Sequence, residues 1–141
     1  MALRVVLDTN VLVAALLSRR GASFRLIELL RAGTFEIALS VPLAVEYEAV
    51  LTQQAASLGL RHVEVRTIVD YLCAVGKRQR IHFLWRPLLR DPNDELVLEV
   101  AVAAGCQYIV THNVRNFAGA ERLGVNIVVP GQFLRQLEAS L

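Results

Sequence analysis

Apolar residues along the chain keep two rhythms. Short blocks of β-branched and aliphatic residues alternate with longer stretches in which apolar positions recur at helical spacing. Residues 4–8 (RVVLD) read as a buried strand and 10–18 as a helix. Ser18 to Ser23, with Gly21, punctuates. SFRLIELLRAG then sets Phe24, Leu26, Ile27 and Leu30 on one helical face and stops at Gly33. FEIALS (35–40) predicts a second strand, Pro42 opens a helix to about Gln54, and Leu60 to Val75 carries another that ends at Gly76. Residues 80–90 predict irregular chain or a short edge strand, because Pro87 cannot donate to a ladder. DPNDELVLEVAVAAG predicts a helix apolar nearly all round, hence deeply packed. QYIVT (107–111) is a core strand, NVRNFAGAERLG holds a short helix, VNIVV (125–129) is a further strand, and PGQFLRQLEAS closes with a helix.

Buried strands alternating with helices predict an α/β fold, a mostly parallel sheet with helices on both faces. No repeat, low-complexity tract or linker divides the chain, so residues 1–141 read as one domain. In such sheets ligands bind beyond the carboxyl ends of the strands. The polar residues gathered at that edge therefore carry the functional question.

Composition narrows the classes. The chain is 55% hydrophobic, enough for a real core. Charges interrupt every apolar run before the ~18 residues of a membrane span, and MALRVVLD lacks the layout of a secretory signal. Cys73 and Cys106 lie in apolar segments without metal-type spacing and read as reduced thiols, consistent with a cytoplasmic protein. A net charge of +2 does not by itself indicate nucleic acid. Fourteen of the fifteen basic residues are Arg, which suits bidentate phosphate contacts, although a GC-rich genome gives the same bias. The tightest basic cluster, KRQR (77–80), reads as a solvated helix end or a phosphate patch.

Three acids are candidates for chemistry. Asp8 ends the first strand, Glu46 lies one turn into the helix after the second, and Asp94 is in the first turn of the apolar helix. Each has an ordinary explanation. Asp91 is a good N-cap with Pro92 behind it, and Asp94 then favours the helix dipole. Glu46 can pair with an Arg. Asp8 can cap the next helix, though Asn10 is better placed to do so. Convergence at one sheet edge changes the balance, since two carboxylates ~4 Å apart repel by about 4 kcal/mol at an effective dielectric near 20. A cation, a base or a raised pKa must offset that. Hard oxygen donors suit Mg²⁺ or Mn²⁺, and Thr9, Asn10, Thr111 and Asn113 are available to orient the carboxylates. His62, His82 and His112 have no obvious acid partners.

LDTNVLVAALLS, then EYEAVL after a strand, then RDPNDELVLEVAVAAGCQYIVTHNVRNF resembles the PIN-domain family over nearly the whole chain. It is most similar to the VapC-type ribonucleases, toxins of bacterial toxin–antitoxin pairs. The resemblance implies a PIN-like three-layer α/β/α sandwich that cleaves single-stranded RNA with Mg²⁺ or Mn²⁺. It sets Asp8, Glu46 and Asp94 on the family's first three metal-binding, catalytic acids. The fourth acid is replaced by Asn116, leaving Asn10, Thr111, Asn113 and Asn116 as supporting residues or a weak fourth ligand. An antitoxin partner and a homodimer are implied as well; the high apolar content also fits a homodimer. Two alternatives stand beside this reading. Asn116 favours a catalytically weak PIN-like module that binds RNA or a partner. An Asp-based phosphohydrolase is disfavoured: DTN has no second nearby acid, and no Lys stands at the end of a later strand.

Overall fold

A computed structural model of the chain describes residues 3–81 and 89–141. The expectations for Pro87, for His82 and for most of residues 80–90 lie outside the described residues. Among the described residues five strands, β1 (Arg4–Leu7), β2 (Glu36–Leu39), β3 (Lys77–Arg78), β4 (Tyr108–Val110) and β5 (Asn126–Val128), form one sheet in the order β3-β2-β1-β4-β5. Every pairing is parallel. The helices are α1 (Thr9–Leu17), α2 (Ala22–Arg31), α3 (Val41–Gln53), α4 (Ala55–Leu58), α5 (His62–Val75), α6 (Pro92–Ala103) and α7 (Pro130–Ser140).

The α/β architecture is the one expected, and the strand order gives it a direction. From β1 the chain steps outward to β2 and β3, then returns past β1 to β4 and β5. In parallel sheets crossovers are right-handed, so a reversal of strand order moves the connecting helix to the other face. The order therefore reverses between β1 and β4, and the crevice beyond their carboxyl ends is where such a sheet opens to a ligand. The returning helix is α6, which packs on β1, β2 and β4. Val97, Leu98, Val100 and Ala101 are buried there, which explains why its sequence is apolar nearly all round. Gly105 takes φ 66°, a left-handed conformation open to glycine, and turns the chain from α6 into β4. Among the described residues, no helix is long and apolar enough to cross a membrane.

Three local expectations are corrected. KRQR does not end a helix: Lys77 and Arg78 form the edge strand β3, held by register with Ala38 and Leu39. This is possible because Gly76 brings the chain close to β2, where a Cβ would strike the Leu39 side chain and lie 2.7 Å from the Leu72 carbonyl. The expected short helix after β4 is two 3-10 turns, Val114–Phe117 and Ala120–Leu123, separated by Gly119 at φ 97°. Finally, α1 begins at Thr9, with Asp8 as its cap.

Candidate metal centre at the strand reversal

Asp8 follows β1 and Thr111 follows β4, so the two face each other across the strand reversal. The Thr111 hydroxyl, wholly buried, donates to Asp8 Oδ2 at 2.7 Å. Asn10 Nδ2 donates to the same oxygen at 3.2 Å, and the Thr9 amide donates to Oδ1 at 2.8 Å. Thr111 in turn accepts from the Asn113 amide at 3.0 Å and from Asn10 Nδ2 at 3.4 Å. Its single proton and both lone pairs are thereby used. Asp8 is both the helix cap and an oriented carboxylate: the capping contact comes from Oδ1 alone, and the rest of the group is fixed from β4. Asn10, expected as the better cap, instead bridges the two strand ends, its Oδ1 accepting from the His112 amide at 3.3 Å.

Asp94 stands in the first turn of α6, also buried, and hydrogen-bonds the side chain of Asn116. Burial raises its pKa to about 6, and the charges of Asp8 and Asp91 add to the rise, while the Asn116 hydrogen bond opposes it. Burial likewise lifts Asp8 above the ordinary carboxylate range. Hydrogen bonds from Thr111 and Thr9 oppose that rise, Asp91 adds to it, and the charge of His112 opposes it. The charge of Asp8 thus reaches Asp94. Asp91, Asp94, Asn116, Arg90 and Arg115 line a cavity of about 560 Å³ at this edge.

Glu46 is half-buried on α3 and makes no hydrogen bond or ion pair with a described residue. Its neighbour Tyr47 is fully buried and donates its hydroxyl to the Leu7 carbonyl, pinning α3 beside the end of β1. Burial pushes the Tyr47 phenol upward, and the nearby charge of Asp8 adds to the effect. Among the described residues, no three His, Cys, Asp or Glu side chains are grouped closely enough to hold a metal ion. Two carboxylates are nonetheless a suitable donor set for Mg²⁺, which keeps several waters and commonly takes one or two protein carboxylates with substrate phosphate oxygens. Mutual repulsion at Asp8 and Asp94 is the electrostatic condition that such a cation relieves.

Sequence reasoning missed parts of this site. His112 forms no ion pair with a described acid, but its Nε2 lies 3.3 Å from the hydroxyl of the buried Ser23, a contact the sequence does not reveal. Asp91 does cap α6, accepting from the Asn93 amide at 2.9 Å, but it also lines the cavity and couples to both site acids. The signal for Asp91 was present in the sequence as a second acid three residues before Asp94. The signal for His112 was not, because Ser23 and Asp8 meet it only through the fold.

An all-parallel sheet with coupled carboxylates at its strand reversal defines a class of α/β proteins with an acidic edge site. A sequence model of the PIN domain matches residues 4–115, and the chain belongs to that family, whose members are generally nucleases. No curated protein matched the chain. Among solved structures, the fold is similar to a chain from the crystal structure of VapBC2 from Rickettsia felis bound to a DNA fragment from their promoter. The TM-score is 0.61 at 18% identity, covering 90% of this chain and 98% of that one.

Proposed function

We propose that this PIN-domain protein is an endoribonuclease that hydrolyses single-stranded RNA with Mg²⁺ or Mn²⁺, as the toxin of a toxin–antitoxin pair. The observation that carries the reading is Asp8, fixed at the strand reversal, with its charge reaching the buried Asp94 that lines a cavity. Asp8 and Asp94 are the residues that would hold the cation. When bound, it supplies Lewis-acid charge against the phosphate and acidifies water. Thr111 and Asn10 keep Asp8 in one orientation, so the carboxylate need not reorganise during turnover. Glu46, on a helix anchored beside Asp8, is assigned the outer acid that orients the attacking water.

Asn116 supports the second reading, a catalytically weak binding module, because its amide gives Asp94 a hydrogen bond where an acid would give charge. One experiment separates the two. Labelled single-stranded RNA is incubated with the protein in Mg²⁺, Mn²⁺ or EDTA. The ribonuclease reading expects cleavage only with metal and none from Asp8→Asn, which remains folded by circular dichroism. Cleavage that survives EDTA and Asp8→Asn refutes it, and RNA binding without cleavage establishes the alternative.

The antitoxin assignment draws on an apolar groove of about 340 Å³ between α1, α2 and α5, lined by Leu12, Leu16, Phe24, Ile27, Ile68 and Tyr71. Such a slot accepts the apolar face of a partner helix. Co-purification with the product of the adjoining reading frame, lost in Ile68→Glu, is the expected result. The homodimer assignment draws on Val41 and Val45, large apolar side chains exposed on α3. Sedimentation equilibrium giving a monomer at micromolar concentration refutes it.

A further inference from the structure

The cavity beside Asp94 carries a second kind of chemistry that the acids do not explain. Arg90, just before α6, and Arg115, in the first 3-10 turn after β4, both line it and both are exposed. Three acids lie in or beside the same cavity, yet neither guanidinium forms an ion pair with a described residue. Two exposed cations therefore line an acidic cavity without an ion pair to a described residue. The arrangement matters for a polyanion, which Asp8, Asp91 and Asp94 would otherwise repel. A guanidinium presents a planar fork that matches phosphate oxygens and stays charged at any working pH. The two arginines come from chain segments before and after Asp94 and line the same cavity as Asp91 and Asp94.

We infer that Arg90 and Arg115 form a phosphate-binding rim that seats the sugar–phosphate backbone of a single-stranded polynucleotide against the Asp8–Asp94 site. This inference rests on the ribonuclease reading and adds positioning residues to it. Contacts to phosphate fix register and carry no base information, so the rim acts equally on unrelated sequences.

The test is fluorescence anisotropy with two labelled single-stranded RNAs of unrelated sequence, in EDTA so that no cleavage occurs, over a series of salt concentrations. For a single strand, log K falls with log salt by about 0.7 per phosphate neutralised. Arg90→Gln and Arg115→Gln should each flatten the slope by about 0.7, and the double variant by about 1.4, on both RNAs alike. Arg→Lys variants should restore the slope, and Arg135→Gln, on α7, should leave it unchanged. In Mg²⁺ the Gln variants should raise KM several-fold with kcat largely kept, a split that a merely structural role does not produce. As a measurement on the unaltered protein, bound RNA should protect Arg90 and Arg115 from phenylglyoxal. RNA binding with unchanged slopes in the double variant, or with both arginines still modified, overturns the rim and leaves the ribonuclease reading standing. A wild-type protein that neither binds nor cleaves RNA overturns both.

Discussion

Replacing Asp94 with Asn tests whether the site is electrostatically stressed. In the folded protein Asp94 has a pKa of about 6 against an ordinary 3.8, chiefly from burial and then from the charges of Asp8 and Asp91. A rise of that size is worth no more than about 3 kcal/mol against folding once the group is ionised. Screening at the cavity mouth and the favourable end of the α6 dipole, which Asn forgoes, bring the net gain on substitution to about 1–2 kcal/mol. The sign follows from linkage. A carboxyl whose folded pKa is raised leaves stability intact below its unfolded pKa and removes it as pH rises through the folded value. The metal-free wild type should therefore lose stability relative to Asp94→Asn between about pH 4 and pH 7. Differential scanning calorimetry in EDTA should give a variant Tm roughly 3–8 °C higher at pH 7.5, with the gap closing toward pH 4. Adding Mn²⁺ should raise the wild-type Tm and leave the variant nearly unmoved, because only a folded state that binds the cation gains from it. An Asn variant that is less stable at pH 7.5, or a gap that widens toward low pH, refutes the coupled-acid description.

Three further outcomes are expected. Thr111→Val keeps the side-chain shape but removes the donor to Asp8 and the acceptor for Asn113 and Asn10; it should cost about 1–3 kcal/mol by urea denaturation, and an unchanged midpoint refutes its bridging role. Asn116→Asp replaces a donor to Asp94 with a charge; calorimetry should show tighter Mn²⁺ binding, and unchanged or weaker binding shows that the fourth position does not limit the site. Gly76→Ala forces a Cβ onto Leu39 and the Leu72 carbonyl; it should destabilise by roughly 1–3 kcal/mol, and a neutral effect means that the β2–α5 packing yields more easily than described.

The sequence alone determined four of the five described strands and the parallel α/β class, and it singled out Asp8 and Asp94 as candidate acids. It could do so because those features are local. Burial on both faces makes Val5, Val6 and Leu7 of β1 a continuous apolar run, and a carboxylate that closes it is visible as a break in the pattern. Asp94 was legible as a first-turn acid of a largely apolar helix. Other features depended on partners distant along the chain. Asp8 and Thr111 are 103 residues apart, and only parallel pairing of β1 with β4 turns two strand ends into a hydrogen bond. The same pairing brings the His112 amide to Asn10 Oδ1, and the fold brings its ring to Ser23. Lys77 and Arg78 looked like a charged helix end, because a two-residue edge strand is too short to impose a pattern of its own; its register is set by β2. Asp91 looked like a cap and is one, yet the packing of α6 against the sheet also points it into the field of Asp8 and Asp94. Periodicity records which side of an element is buried, and therefore fixes the elements. It does not record which charges will meet across the carboxyl edge, and that was decided by the strand order.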